Sequence, residues 1–369
     1  MAINSDNEVN LIDIITTENG ITKLPKNYKI NGSFYFLDYK NVYDKNTLSD
    51  FKYNKLPKIN IFEKDIKKFY KSRKGSIVAT WSSETNYDVF QSIYIDTSKP
   101  FIVNGFCKII NVIDINLINP KWLTFYLNFN PIIQKQRSSI PYTTRCNMTL
   151  NELKNIKIKS IPIESQQQII NIIEPFERLK IYISNFIDKI EILFLKIGEA
   201  SKILGKMKDF NIKFEKGMNI NSKFISNQKS NILFINVSAI NNKFNKWLIK
   251  NDIKENVEYG DIILSLDGTI GIVNNFLKGF NGYGYKISST NIDNSIIYCS
   301  LIDRRNKQIM IENSTGSVIK HSLNSKNELV LLDIKKEEIN KLFKLQITYK
   351  KWLISLNKII KKLIEIYIY

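Results

Sequence analysis

The sequence predicts two copies of one mixed α/β (α+β) module, each running into a long helix, and three observations carry that reading. A shift of 173 residues lays Trp122–Lys196 onto Ser295–Tyr369 without a gap. The last part of each copy sets apolar residues at alternating steps of three and four, the period of a helix with one covered face. The stretches before them hold short β-branched and aromatic runs between turn residues, the pattern of strands.

In the first copy, Lys74 to Thr80 reads as a turn entering a strand, followed by strands at Ser92–Ile95 and Phe101–Val103. A short helix is expected at Pro120–Phe129, a polar turn over Ser138–Thr144, and a short strand around Ile156 and Ile158 that delivers the chain to the long helix. The second copy predicts strands at Leu233–Val237, Gly260–Ser265 and Thr269–Val273, one helix over Ile296–Gln308, a polar turn over Asn313–Ser317, and a strand around Leu329 and Leu331. Gly75 matches Gly260 at a spacing of 185, and a net insertion in the second copy is the expected cause of the difference from 173.

The first helical stripe is Ile169, Ile172, Phe176, Leu179, Ile183, Phe186, Ile190 and Leu193; the second is Leu342, Leu345, Tyr349, Trp352, Leu356, Ile359, Leu363 and Ile366. Such a stripe is stable in water only when covered, and two in one chain can cover each other. An ordinary core-facing helix shows the same spacing, but four heptads favour a coiled-coil pair. The seam is therefore expected at Phe176, Leu179, Ile183, Phe186, Ile190 and Leu193 against Tyr349, Trp352, Leu356, Ile359, Leu363 and Ile366. Ser165 with Gln168 reads as a capping box that starts the first helix, and Pro175 predicts a kink or short break near Glu174. The expected boundaries are a first module at 1–160, a first helix at 161–205, a second module at 206–334 and a second helix at 335–369.

Lys and Arg number 54 against 35 Asp and Glu, a net charge of +19, which points to a polyanionic partner, nucleic acid first. A Lys-, Asn- and Ile-rich composition also follows from AT-biased coding, but that bias favours Glu as well and does not produce the excess. No apolar run approaches the roughly 18 residues of a membrane span, and no secretory leader follows Met1, so a cytoplasmic protein without membrane association is expected. Cys107, Cys146 and Cys299 fall in no ligand spacing and read as packed thiols. His321 stands alone, without the partners that a triad or a metal site would need. The glycines Gly268, Gly271, Gly279, Gly282 and Gly284 read as turns between strands, since no phosphate-loop pattern surrounds them.

The order module, helix, module, helix, with Gly260-Asp261-Ile262-Ile263-Leu264-Ser265-Leu266-Asp267-Gly268-Thr269-Ile270-Gly271 in one module and Ile161-Pro162-Ile163-Glu164-Ser165-Gln166-Gln167-Gln168 opening a helix, resembles the specificity (S) subunit of type I restriction-modification enzymes. The resemblance covers nearly the whole chain and departs from the family's pattern in three places: Lys335-Lys336-Glu337-Glu338 opens the second helix without proline or glutamine, Gly75-Ser76-Ile77 stands in the first module where the second has Gly260-Asp261-Ile262, and the Gly-Thr-Ile-Gly turn has no counterpart near Ser82–Thr85. It implies two target-recognition domains in a pseudo-two-fold repeat, each reading half of a split, asymmetric site on double-stranded DNA. The helices would form an antiparallel coiled coil that spaces them. It further implies docking of two methyltransferase (M) subunits, and through them restriction (R) subunits. S-adenosylmethionine and the methyl transfer would belong to the M subunits, with no catalytic residue and no metal in this chain. No Asn-Pro-Pro-aromatic catalytic tetrapeptide stands at Asn119-Pro120 or Asn130-Pro131, which agrees with that division of labour.

Phosphates would be neutralised by Lys and Arg, and base edges read by Arg or Lys on guanine and Asn or Gln on adenine. The candidates in the first module are Arg73, Lys74, Trp81, Ser82, Thr85, Asn86, Tyr87, Arg137, Tyr142, Thr143 and Arg145, the two arginines around the polar turn being the strongest. In the second they are Lys243, Lys246, Thr269, Lys278, Tyr283, Tyr285, Lys286, Ser317 and Lys320. Two other readings stay open: a helical scaffold without DNA sequence preference, whose charge is compositional, and, more remotely, nuclease chemistry around Asp261 and Asp267.

Overall fold

The computed structural model describes residues 8–43, 47–83, 88–140, 145–159, 161–227, 230–242, 246–249, 253–316 and 321–368. Two compact units emerge, Met1–Leu179 with Leu356–Tyr369, and Lys180–Ser355.

The first unit holds β1 (Glu8–Asn10), β2 (Ile15–Asn19), β3 (Phe34–Leu37), β4 (Leu48–Ser49), β5 (Lys58–Ile59), β6 (Ile77–Thr80), β7 (Ser82–Ser83), β8 (Ser92–Asp96), β9 (Ile102–Val103), β10 (Cys107–Val112), β11 (Cys146–Asn147) and β12 (Lys157–Lys159). They assemble as β2-β10-β6-β8-β4, β5-β3-β9, β1-β12 and β7-β11. The second unit holds β13 (Ile203–Lys206), β14 (Lys213–Lys216), β15 (Ile225–Ser226), β16 (Ile232–Ile235), β17 (Lys246–Leu248), β18 (Ile262–Ser265), β19 (Ile272–Asn274), β20 (Phe280–Asn281), β21 (Tyr285–Ser288) and β22 (Val330–Leu332). Their orders are β14-β21-β18-β19, β15-β17-β16-β20 and β13-β22. The two plans coincide: β16 lies antiparallel to β17 and parallel to β20, as β3 does to β5 and β9.

The repeat is kept element by element. Helices Pro120–Phe129 and Pro131–Ser138 correspond to Asn294–Ile302 and Arg304–Glu312, β12 to β22, and the long helix Ile163–Ala200 to Lys336–Ile368. Gly75 and Gly260 both have positive φ, 90° and 104°, where a side chain would be strained. Each donates its N–H to a carbonyl at the end of the neighbouring strand, Ile95 and Asn275.

The central strands are buried on both faces. Ile77 and Ala79 of β6 join the cluster around Trp122, Leu123 and Tyr126, while Val78 joins the one around Ile93, Ile95 and Ile109. In β18, Ile262 and Leu264 face one cluster and Ile263 another. Period-two alternation between two apolar layers explains why these strands read as unbroken hydrophobic runs.

Several expectations are corrected here. The second unit carries no net insertion: β19 and β21 have three and four residues where β8 and β10 have five and six, and the connection after β18 is shorter than that after β6. Ile296–Gln308 is two helices, divided at Asp303, whose carboxylate accepts from Arg305 N and caps the second. The strand expected from Thr269 begins at Ile272, and the one expected to reach Val237 stops at Ile235, where Asn236 caps a short helix, Val237–Ile240.

The first long helix starts at Ile163, not Ser165. The Gln-rich run serves as an anchor instead of a capping box: buried Gln166 accepts from Asn119 N (2.8 Å) and donates to the carbonyls of Leu117 (2.9 Å) and Ile161 (2.8 Å). No break follows, since Pro175 lies inside the continuous helix on its exposed side. Asn171 O loses its N–H partner there, a cost the flanking core contacts of Ile169, Ile170 and Ile173 offset.

In each unit the start of one long helix packs beside the end of the other, the antiparallel arrangement. Ile169, Ile170 and Ile173 share a cluster with Ile360 and Ile364 in the first unit, and Ile190 and Phe194 share one with Ile339, Phe343 and Ile347 in the second. Half of the expected seam is covered at least in part, and elsewhere the inward line lies one residue beyond it on both helices. Ile173, Ile187, Phe194, Phe343, Gln346, Ile360 and Ile364 are buried, whereas Leu179, Phe186, Leu193, Trp352, Ile359 and Ile366 of the expected seam are exposed. Ile183, Ile190 and Leu356 are buried and Phe176, Tyr349 and Leu363 partly so. The inward line escaped the apolar count because it carries polar groups, paired within the protein. Gln346 accepts from Asn275 Nδ2 (2.7 Å) and donates to Glu191 (3.3 Å), which also receives Lys350 (3.4 Å).

The C-terminal carbonyls of the first long helix are met by one guanidinium. Arg305 donates to Gly198 O (2.5 Å) and Ser201 O (2.9 Å) and pairs with Asp303, which is 1% exposed. A cation at the negative end of a helix dipole stabilises it. Arg305→Ala is expected to lower unfolding stability by about 2 kcal/mol, because it leaves carbonyls and a buried carboxylate unpaired; an unchanged urea midpoint would contradict this.

Candidate nucleic-acid interface

Both units build the same edge. In the first, β7 pairs with β11, Ser82 opposite Asn147, and Met148 N donates to Trp81 O at 2.8 Å. In the second, Asp267 bridges His321, and Ser322 N donates to Leu266 O at 2.8 Å. Many of the expected contacts fall between the described residues. Thr85, Asn86, Tyr87, Tyr142, Thr143, Lys243, Ser317 and Lys320 lie outside the described residues.

Around the first edge, cations sit on aromatic faces. Lys108 Nζ lies 4.3 Å from the centre of the Trp81 ring, and the Arg145 guanidinium 4.3 Å from that of Phe106. Phe106 meets Tyr39 edge-on at 5.9 Å, and Tyr39 meets Tyr43 at 5.7 Å. Tyr43 Oη and Ser83 Oγ share a hydrogen bond of 2.8 Å, and burial pushes the phenol up to about 12, so it stays protonated at neutral pH. A partly exposed surface of rings and cations offers both stacking and phosphate contacts. Trp81, Ser82 and Arg145 are thus brought near one another, with Tyr39, Phe106 and Lys108 beside them. No local signal marks these three; the sheet register alone brings Phe106 beside Trp81, whose N–H donates to Phe106 O at 2.7 Å.

At the second edge, His321 Nδ1 lies 2.8 Å from Asp267 Oδ1. Gly268 and Gly271 have φ of 73° and 76°, and Gly271 N donates to Ser265 O, which folds the turn back and leaves Thr269 exposed. Beside it opens a cleft of about 600 Å³ between the segment from Asn219 to Asn227, the start of the helix at Val237, Lys246 of β17 and Tyr283. Tyr283 is 42% exposed and meets Phe234 edge-on at 6.0 Å.

Other expected contacts prove structural. Arg137 is 3% exposed and donates to Leu127 O, and burial pushes its guanidinium down to about 10. Arg73 is buried, donating to the carbonyls of Phe69, Lys71 and Phe101, and burial lowers it too. Tyr285 is a core residue with Lys326 over its ring at 3.9 Å. These three cannot reach DNA from where the fold holds them. Lys278 pairs with Glu258 and Glu255, whose hydrogen bonds raise it, and Lys286 with Asp261 at 2.7 Å. Lys74 lies 3.9 Å from Asp96, with its side chain largely in solvent.

Asp261 and Asp267, the acids of the nuclease reading, are thus held by Lys286 and His321. Among the described residues no group of three or more His, Cys, Asp or Glu side chains is placed to hold a metal ion. The thiols of Cys107, Cys146 and Cys299 are buried, and burial pushes Cys299 up to about 12. No described helix is long and apolar enough to cross a membrane.

The crystal structure of the type I restriction-modification system S subunit from M. genitalium matches along the whole length, covering 100% of this chain and 98% of that chain with a TM-score of 0.51 at 15% identity. This chain has the S-subunit fold. At that identity the likeness is one of fold, and it fits the two α/β modules and two long helices. Two further structures are similar: one on complex assembly and conformational transition of the type I R-M system (96% of this chain and 97% of that, TM-score 0.38, 12% identity), and the HsdS subunit from Thermoanaerobacter tengcongensis (99% and 95%, 0.33, 14%). No family model matches the sequence, and no curated protein does.

Proposed function

We propose that this chain is a non-catalytic DNA specificity subunit of a type I restriction-modification complex, acting in the cytoplasm. The observation that carries the reading is the edge built twice, with loops leaving the Ser82–Asn147 and Asp267–His321 pairs of two like modules in a chain of net charge +19. Each module, 1–160 and 206–334, would read one half of a split site on double-stranded DNA; the different chemistry of the two edges, Trp81 and Arg145 against Thr269 and His321, would make the halves unlike. Helices 161–205 and 335–369 would set their spacing.

The exposed apolar residues of the long helices support the docking of two M subunits. Leu179, Ile359 and Ile366 in one unit, and Phe186, Leu193, Leu345 and Trp352 in the other, recur at steps of seven on their helices and stay uncovered. Apolar lines of this kind mark protein interfaces. The M subunits would bring S-adenosylmethionine and the base-flipping chemistry, and the R subunits would join them. A scaffold without DNA preference explains the apolar lines but not the matched edges.

The test is footprinting of the chain reconstituted with M subunits. Two protected half-sites with an unprotected gap are expected, retained against excess random DNA; one continuous short site, or no preference, would overturn the reading.

A further inference from the structure

The cleft beside Tyr283 has no filled counterpart role in groove reading. A side chain that reads a base edge in an intact groove must protrude, whereas this site is concave, about 600 Å³, within the range of small-ligand sites. Its lining mixes apolar side chains with uncharged amides and hydroxyls, Asn219, Asn236 and Ser238 among them, and adds one ammonium, Lys246, and one exposed ring, Tyr283. Those groups suit a planar heteroaromatic ring with donor and acceptor edges and a single attached phosphate. Amides and hydroxyl would meet the ring's edge, Tyr283 its face, and Lys246 the phosphate.

The cleft adjoins the recognition edge. A Cβ on Gly268 would stand 3.7 Å from Val237 Cγ1, so the Gly-Thr-Ile-Gly turn touches the residue that forms its wall. In the first unit the corresponding wall carries a larger side chain. Asp38 caps the helix that follows β3 as Asn236 caps the one that follows β16, and the next residue is Tyr39 in place of Val237. Tyr39 packs on Phe106, which precedes β10 as Tyr283 precedes β21.

We propose that the cleft of the second unit receives one nucleotide swung out of the bound duplex, a site the first unit lacks. The proposal rests on the DNA-reading function above. Extrusion exposes both faces and all edges of a base, which lets amides and a tyrosine read what the groove hides, at the expense of one unstacking.

The experiment uses the complex with M subunits and duplexes carrying the site mapped from the host's methylation pattern, with 2-aminopurine placed at each position of the second half-site in turn. Strong fluorescence enhancement is expected at one position other than the methylated adenines. It should vanish in Val237→Tyr, which brings in the first unit's larger side chain, while the signals at the methylated adenines persist. Tyr283→Ala should weaken site binding on the order of tenfold through the lost stack, and Tyr283→Phe should not. Free mononucleotide that quenches Tyr283 without DNA, and no enhancement in any duplex, would assign the cleft to a soluble nucleotide and overturn the proposal. Site-specific binding with every 2-aminopurine signal unchanged in Val237→Tyr would overturn it and leave the DNA-reading function standing; loss of site preference in the unaltered protein would overturn both.

Discussion

Trp352→Asp is expected to abolish assembly with M subunits while leaving the fold intact. The side chain is 52% exposed, stands 5.1 Å from Tyr349, and Tyr349 in turn lies 4.9 Å from Phe186 on the first long helix. An uncovered aromatic group of this kind is unfavourable in water unless a partner covers it, and tryptophan at the centre of an interface commonly contributes about 2–4 kcal/mol. Introducing a carboxylate adds the desolvation of a charge, so affinity should fall by on the order of a hundredfold or more. The folded chain loses little, since no core contact is removed and aspartate in a helix interior costs about 0.5 kcal/mol. Ile360→Asp is the contrasting variant: Ile360 is buried in the first unit's core, and a carboxylate there should unfold the helix pair. Gel filtration with M subunits and thermal melting separate the two. Retained assembly by Trp352→Asp would remove the apolar line from the docking surface.

That contrast reverses what the periodicity suggests. A count of apolar residues finds the helices, their length, their pairing and the shift of 173 between them, because those depend on period. It misplaces part of the covered face by one residue, since it gives no weight to buried polar groups: Gln346 is enclosed and bonded to Asn275 and Glu191, and Trp352 and Ile359 face out. A stripe that serves a second protein is indistinguishable by composition from one that serves the helix's own partner. The recognition edges were legible in part for a related reason. Loop composition points to Trp81, Ser82, Arg145 and Thr269, but the pairing of Asp267 with His321 spans fifty-four residues and is set by strand register. Tyr39 and Phe106 meet through the same long-range register, which no local pattern encodes.

Arginine burial makes the last distinction, and it has a large thermodynamic consequence. Arg137 and Arg145 flank one polar turn and look alike in sequence, yet Arg145 lies over the Phe106 ring at the edge while Arg137 is enclosed, donating to Leu127 O. Burial pushes Arg137 down from its ordinary value to about 10, so its charge is a burden on the folded state. Arg137→Met keeps most of the volume and removes the charge, and it is expected to raise stability by about 1 kcal/mol at pH 7, the relief of the buried charge exceeding the cost of the Leu127 carbonyl left without its donor. Because the folded form binds the proton less tightly than the unfolded form, the unaltered protein gains stability as pH rises above about 10. The advantage of the variant should therefore be full below about pH 10 and shrink above it. Arg145→Met should do the opposite in both assays: no measurable change in urea unfolding, and weaker DNA binding with a shallower salt dependence, by about one phosphate contact. If Arg137→Met weakened DNA binding as much as Arg145→Met does, Arg137 would have to leave its enclosure on binding, and the assignment of the two arginines to core and edge would fail.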